Sequence, residues 1–216
     1  MPRSKSSQAW LQRHFRDPYV KRARQEGARS RAHYKLAEID AREKLLRPGL
    51  VVVDLGAAPG GWSEYAATRV KPNGRVIAVD ILPLDAIPGV DFIQGNFLEP
   101  QVLDSIKARL DGPADLVISD MAPNITGIAA TDQARAMELA EKAVEFAETA
   151  LRPGGAILLK TFQGAGFAEL MAELRRRFSK VATRKPGASR NESREVYLLA
   201  KGFTGRLPTP PHSPRD

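Results

Sequence analysis

The chain has 216 residues, a formal net charge of +8 and no cysteine. The lack of cysteine excludes disulfides, thiolate metal sites and a cysteine nucleophile. No apolar run reaches the roughly 18 residues of a membrane span, and residues 1–15 contain no apolar signal-peptide core. We therefore expect one cytoplasmic domain with short appendages.

Positive charge is concentrated at the two flanks of the chain. Residues 1–35 hold ten Lys or Arg and two acids, and residues 175–206 hold the same numbers, whereas residues 36–174 hold twelve basic and twenty acidic residues. The flanks could be two solvated faces or could converge on one polyanion-binding surface. Aromatic residues in the first flank also suit base stacking, which favours nucleic-acid binding. They are Trp10, Phe15, Tyr19 and Tyr34.

Short apolar runs alternate with amphipathic patterns along the chain. Residues 1–29 are predicted to form a basic arm, and Ser30–Leu46 is predicted to form a helix with one apolar face. The predicted strands are Val51–Leu55, Arg75–Val79, Asp91–Gln94, Asp115–Ser119, Ala156–Thr161, Lys180–Arg184 and Glu195–Lys201. The helices predicted between them are Trp62–Val70, Glu99–Leu110, Thr131–Leu151 and Gly166–Phe178.

This alternation predicts a doubly wound, Rossmann-like α/β sheet of seven strands. Pro153-Gly154-Gly155 is predicted to end the third of these helices and to start the next strand. Only Lys185–Arg194 separates the last two strands, which predicts an antiparallel pair. The Pro-rich tail, residues 204–216, is predicted to be disordered.

The loop after the first predicted strand, Asp54 to Trp62, has the small residues that let a ligand approach backbone closely. This loop lacks the Gly-Lys-Ser/Thr of a phosphate-binding P-loop, and it also lacks the second glycine of the dinucleotide-binding fingerprint. Binding of S-adenosylmethionine needs neither of these motifs and is the third interpretation of this loop. Asp80, at the end of the next strand, is suited to accept hydrogen bonds from ribose hydroxyls. Asn96 could accept one from an adenine amino group, or be an ordinary turn residue.

Four further polar residues are candidates for the reacting centre. Asp120 follows the fourth strand, Lys160 lies in the fifth, Glu195 starts the last, and Lys35 lies in the upstream helix. A lysine in a buried strand end is costly unless it is paired or functional, although Lys160 could also be an edge lysine that reaches solvent. None of the four is specific taken alone.

Several stretches together resemble the FtsJ/RrmJ (RlmE) family, bacterial 2′-O-ribose methyltransferases of large-subunit ribosomal RNA. The resemblance extends over residues 7–201. The matching stretches are Trp10-Leu11-Gln12, Arg29-Ser30-Arg31-Ala32, Tyr34-Lys35-Leu36, Asp54 through Trp62, Gly89-Val90-Asp91-Phe92, Ser119 through Asn124 and Arg194-Glu195-Val196-Tyr197.

The resemblance implies a role for each candidate residue. The catalytic tetrad of the family falls on Lys35, Asp120, Lys160 and Glu195, with no metal. Its S-adenosylmethionine contacts fall on Gly60, Trp62, Asp80, Asn96 and Asp120, and Asn96 replaces the usual aspartate. Whether the lysine in the fifth strand is a neutral base or a charged donor stays open.

The resemblance also implies a substrate, a uridine in the A-loop of 23S ribosomal RNA within the 50S subunit. A monomer is the default expectation, since no residue pattern indicates an oligomeric state. The expected organisation is a basic arm (1–29), a methyltransferase domain (30–203) and the tail (204–216). The alternatives are a ribosome-assembly RNA-binding factor with a vestigial cofactor fold, or a class I methyltransferase for another RNA, a protein or a small molecule.

Overall fold

Seven strands and six helices make up the part of the chain that the computed structural model describes, residues 17–190 and 193–205. The strands are β1 (Val51–Leu55), β2 (Arg75–Asp80), β3 (Val90–Gln94), β4 (Ala114–Ser119), β5 (Leu151–Phe162), β6 (Phe178–Arg184) and β7 (Glu195–Phe203). The helices are α1 (Pro18–Glu26), α2 (Ala32–Glu43), α3 (Gly61–Val70), α4 (Pro100–Leu110), α5 (Ala129–Ala150) and α6 (Phe167–Arg177).

The strands form one sheet in the order β3-β2-β1-β4-β5-β7-β6. Strands β1 to β5 are parallel, and β7 lies between β5 and β6 and is antiparallel to both. The predicted α/β sheet and its antiparallel final pair are therefore confirmed. Because β7 runs against β5, the first residues of β7 lie beside the last residues of β5, with Glu195 opposite Phe162.

Alternate residues of each strand pack against two different layers of helices. Val53 of β1 faces the layer made by α4, α5 and α6. Its neighbour Val52 faces the layer made by α2 and α3, together with Leu158 of β5 and Tyr197 of β7. Both faces of the central strands are thus buried, which explains their continuous Val, Ile and Leu runs.

The prediction for Pro153-Gly154-Gly155 is wrong. Helix α5 ends at Ala150, and β5 begins directly at Leu151, so these three residues lie inside the strand rather than before it. The pairing of β4 with β5 shifts register here, and Gly154 has a φ of 80°. A proline and a left-handed glycine are accommodated by an irregularity of the strand, where no ladder hydrogen bond is required of them.

Helix α1 lies within the segment predicted as a basic arm. Asp17 caps it by accepting a hydrogen bond from the Tyr19 amide at 3.0 Å. Its Ala23 packs with Tyr34 of α2 and with Ala188, which precedes β7. Residues of the two basic flanks therefore meet at this helix.

Ion pairs join the flanks at the same place. Arg31 bonds both the Asp17 carboxylate and the Ala188 carbonyl, and Arg190 lies 3.7 Å from Asp17. Residues 1–16 of the predicted arm and residues 206–216 of the predicted tail lie outside the described residues. Among the described helices, none has the length and apolarity to cross a bilayer.

Candidate active site

The carboxyl ends of the parallel strands border a cavity of about 420 Å³. In an open α/β sheet this is the edge at which ligands bind. Three of the residues predicted from the sequence line it, namely Asp80, Asn96 and Asp120. Exposed apolar side chains stand at the same cavity, with Ile81 67% and Leu82 58% exposed.

Backbone approaches this cavity closely at Gly56, directly after β1. Gly56 has a φ of 75°, and a Cβ added there would lie 2.1 Å from Cγ of Met121. Any side chain at this position would therefore displace the segment that follows β4. The close neighbour at Gly56 is the Met121 side chain, and the approach of a ligand to this loop stays a prediction.

The Asp80 carboxylate organises one wall of the cavity. Its Oδ2 accepts a hydrogen bond from the Ala58 amide and its Oδ1 one from the Leu82 amide, each at 2.8 Å. Asn96 Oδ1 accepts a hydrogen bond from the Leu98 amide at 3.1 Å. Both side chains thus shape the loops that line the cavity.

Of the remaining two predicted cofactor residues, Trp62 lines a smaller cavity of about 140 Å³ together with Asp54 and Asp120, whereas Gly60 lines neither cavity. Trp62 is only 2% exposed, and its indole N–H donates to the Ala32 carbonyl at 2.8 Å. Gly60, in the left-handed conformation with a φ of 101°, caps the start of α3. The indole is therefore mainly a packing group between α2 and α3.

Lys160, near the end of β5, is held against the end of β4. Its side chain is 8% exposed, and its Nζ lies 3.0 Å from Oδ1 of Asp120 and donates to the Asp120 carbonyl oxygen. This pairing replaces the alternative of an edge lysine that reaches solvent. Asp120 belongs to both cavities, so it links the amine to the ligand-binding edge.

A second ion pair lies beside the first. Lys35 of α2 places its Nζ 2.7 Å from Oε1 of Glu195, and both side chains are nearly buried. The Ser189 hydroxyl donates to the same carboxylate oxygen at 2.8 Å. Burial raises the pKa of Glu195, but the charge and hydrogen bond of Lys35, the charge of Lys160 and the Ser189 hydrogen bond together outweigh it and leave this pKa below its ordinary value.

Tyr197 connects the two pairs, and the sequence analysis did not single it out as a site residue. Its buried hydroxyl lies 2.7 Å from Oδ1 of Asp120 and 3.3 Å from Oε1 of Glu195. Burial, followed by the charges of these two carboxylates, raises the pKa of Tyr197 well above 10.0. The available signal was alternation, since residues 195 and 197 of a strand point to the same face.

Asp54, at the end of β1, lies directly behind this group and is 1% exposed. Ser63 of α3 donates to its Oδ2 at 2.6 Å. Burial raises the pKa of Asp54, the Ser63 hydrogen bonds oppose this shift, and the charges of Asp120 and Asp80 add to it; the resulting pKa is about 7. Asp54 therefore interacts electrostatically with Asp120 and Asp80 at this edge of the sheet.

This carboxyl predicts a pH dependence of stability. Its native pKa of about 7 exceeds the ordinary 3.8, so between these values the native state retains a proton that the unfolded chain has released. Asp54 then destabilises the protein increasingly as the pH rises through this interval. We expect Asp54→Asn to gain at least about 2 °C in Tm relative to the parent protein between pH 5 and pH 8. Thermal melts at both pH values measure this, with the exposed Asp85→Asn as control. A Tm difference independent of pH would contradict the assignment.

The site carries no acidic or histidine cluster suited to a metal. Among residues 17–190 and 193–205, no group of three His, Asp or Glu side chains has ligand geometry. The doubly wound sheet and the polar edge define an α/β enzyme that binds a ligand at the carboxyl ends of its strands.

Comparison with known proteins specifies the class further. The profile of the FtsJ-like methyltransferase family matches residues 28–203. "Ribosomal RNA large subunit methyltransferase E" of Xanthomonas euvesicatoria is 58% identical over 201 residues, which cover 93% of this chain and 96% of that protein. The protein of the same name from Legionella pneumophila strain Corby is 55% identical over 204 residues, covering 94% and 99%.

A solved structure agrees with these relatives. The crystal structure of a putative ribosomal RNA methyltransferase from Plasmodium falciparum superposes with a TM-score of 0.74 at 32% identity, covering 82% of this chain and all of that one. The chain belongs to the FtsJ-like methyltransferase family. The resemblance noted in the sequence is thereby confirmed.

Proposed function

We propose that the protein transfers a methyl group from S-adenosylmethionine to a ribose 2′-oxygen of large-subunit ribosomal RNA in the cytoplasm. The observation that carries the proposal is the junction of two features at Asp120. This residue lines the ligand cavity and holds Lys160 at 3.0 Å. A group that can handle a hydroxyl proton therefore adjoins the cavity suited to the methyl donor.

The residues present fit this methyl donor. Asp80 faces the larger cavity, where its oxygens can accept hydrogen bonds from ribose hydroxyls. Gly56, Ala58 and Asp120 line both cavities, so a ligand with a nucleoside end and an amino-acid end can span them. A Cβ added at Gly56 would lie 2.1 Å from Cγ of Met121, which lines the larger cavity. When bound, the donor supplies a methyl group activated by a positively charged sulfur.

The chain's own contribution begins with Lys160. Its Nζ already bonds two oxygens of Asp120, which leaves one tetrahedral position for the ribose 2′-oxygen. In a neutral amine this position is a lone pair that takes the hydroxyl proton as the oxygen–methyl bond forms. In an ammonium it is an N–H that stabilises the developing negative charge on oxygen. Alignment of the oxygen with the methyl group supplies much of the rate in either form.

The second ion pair orients the ribose in this scheme. Glu195 accepts hydrogen bonds from Lys35 at 2.7 Å and from Ser189 at 2.8 Å, so its carboxylate has a fixed direction. Tyr197 ties this carboxylate to Asp120 through one hydroxyl group. We infer that Lys35 and Glu195 position the substrate while Lys160 and Asp120 act at the reacting oxygen.

The RNA-binding surface follows from the meeting of the basic flanks. Lys21 and Arg24 of α1 are exposed, and Arg190 joins the same region through Asp17. Ser189, next to Arg190 in the chain, bonds Glu195. Cationic residues therefore extend from α1 to the edge of the candidate site, as phosphate binding requires. This arrangement favours an RNA substrate over a protein or a small molecule.

The decisive experiment maps ribose methylation across ribosomal RNA in cells with and without this protein. We expect one 2′-O-methyl group of large-subunit RNA to disappear without the protein, and purified protein with S-adenosylmethionine to restore it on large subunits from the deficient cells. We propose a uridine of the 23S A-loop as the target. An unchanged methylation map would favour the vestigial-fold alternative, and calorimetry showing no binding of S-adenosylmethionine would support that alternative directly.

A further inference from the structure

A third cavity, of about 300 Å³, lies at the end of β5 and the start of β7. Among the residues that line it are Ile125 and Gln133, Phe162 at the end of β5, and Arg194 directly before β7. The methyl-donor cavity is lined by residues that follow β1 to β4, on the other side of Lys160 in the strand order. In the strand order, β5, which carries Lys160, thus lies between the strands that border the methyl-donor cavity and β7.

Phe162 is placed next to the group that handles the ribose. It pairs with Glu195 in the sheet register and lies two residues beyond Lys160, so these three side chains leave the same face of the sheet. Phe162 is half-buried, and it belongs to neither of the two large hydrophobic clusters of the described residues. Its ring is therefore not committed to the core.

The part of the cavity wall formed by residues 125–133 is held in place by local hydrogen bonds. Asp132 accepts them from the Thr126 amide at 2.8 Å, the Thr126 hydroxyl at 2.7 Å and the Gly127 amide at 3.0 Å. The amide of Gln133 donates to the carbonyls of Phe162 at 3.2 Å and Ala165 at 3.0 Å. The cavity is thus shaped before any ligand arrives, which limits the ordering cost of binding.

The remaining lining has the chemistry of a site for a flat, polar heterocycle. Ile125 supplies an apolar surface and is 69% exposed. Arg194 is exposed, and within the described residues no ion pair engages its guanidinium. Unstacked RNA bases bind proteins by stacking on aromatic rings and on guanidinium planes. Phe162 and Arg194 supply one of each.

We propose that this cavity receives the base of the nucleotide whose ribose is methylated. The inference rests on the proposed function and adds the contact that positions the nucleotide. The base is attached to the carbon next to the one that bears the 2′-oxygen. With that oxygen at Lys160 and the methyl donor on the β4 side, the β5–β7 side is left for the base. Phe162 then stacks on the base and sets the angle at which the ribose approaches.

The test compares Phe162→Leu with the parent protein on large subunits from cells that lack the protein. Base–aromatic stacking contributes about 1–3 kcal/mol per base, so we expect kcat/KM to fall about 5- to 150-fold. The dissociation constant for S-adenosylmethionine should stay unchanged, which also shows that the variant is folded. Phe162→Tyr keeps the ring and should retain most activity. Ile128→Ala is the matched control, because Ile128 is a 63% exposed apolar residue of the segment that contains Ile125 and does not line the cavity.

A second arm identifies the base itself. Binding of an RNA fragment that carries the unmethylated target nucleotide is compared with binding of the same fragment in which the target nucleotide lacks its base. The parent protein should bind the abasic fragment more weakly, whereas Phe162→Leu should bind both alike. If removing the base weakened RNA binding equally for the parent protein and for Phe162→Leu, the inference would be overturned. Full activity of Phe162→Leu on large subunits would overturn it as well. If the parent protein methylates no ribosomal RNA, the proposed function fails first and the inference fails with it.

Discussion

Replacing Lys160 with alanine is expected to lower the rate of methyl transfer by about 10²- to 10⁴-fold, the contribution typical of a positioned proton-transfer group. Binding of the methyl donor should change little, because Lys160 lines neither the 420 Å³ nor the 140 Å³ cavity. Single-turnover assays with large subunits measure the rate, and calorimetry measures binding of S-adenosylmethionine. Full activity in this variant would refute the assignment.

Lys160→Arg separates the two ways in which the amine can act. A guanidinium stays protonated at all accessible pH values, so it can stabilise negative charge but cannot accept the ribose proton. If the lysine is a base, the arginine variant is as inactive as Lys160→Ala. If the lysine is a charged donor, the arginine variant keeps part of the activity and loses the rise in rate with pH that a base produces.

Replacing Asp120 with alanine is expected to impair three properties at once. The nearly buried Lys160 ammonium loses its carboxylate at 3.0 Å, and the Tyr197 hydroxyl loses its 2.7 Å acceptor. Breaking a buried ion pair from one side costs about 3 kcal/mol or more, so unfolding by denaturant should begin at lower concentration. Methyl transfer should fall at least about 10²-fold. Unlike Lys160→Ala, this variant should also bind the methyl donor more weakly, since Asp120 lines both cavities.

The double variant Lys160→Ala with Asp120→Ala tests the pairing directly. Once the lysine is absent, removing the carboxylate no longer leaves an unpaired cation. The loss of stability in the double variant should therefore be smaller than the sum of the two single losses. Asp120→Asn is the matched control, because its amide oxygen can still accept from Tyr197. Strict additivity would mean that the two side chains do not interact in solution.

Much of the fold could be predicted from local pattern. Val51–Leu55 has the same bounds in the sequence analysis and in the structure, because a largely apolar stretch ends there at Gly56, a glycine that the turn requires. The pattern failed at Pro153-Gly154-Gly155. Proline and glycine mark a break in regular geometry, but the sequence alone does not say whether the break ends a helix or distorts a strand.

Only part of the candidate site could be predicted from the sequence. Lys35 and Glu195 are 160 residues apart in sequence, and no spacing rule predicts their 2.7 Å contact, which the family resemblance implied. Tyr197 was not predicted as a site residue, because a tyrosine in a buried strand is ordinarily a packing residue. Trp62 was predicted to bind the cofactor, and its burial between helices follows from tertiary packing that the pattern of one helix does not contain.

The interior position of β7 has a consequence for synthesis of the chain. Strands β1 to β5 and the residues that line the cavity at Asp80 precede residue 163 in the chain. Glu195 and Tyr197 lie on β7, the last strand to be translated. That strand must enter between β5 and β6 rather than add to an edge. A nascent polypeptide halted before residue 195 therefore has the residues of the donor cavity but lacks half of the proposed tetrad's carboxylates. Competence for methyl transfer is acquired only as the final strand inserts.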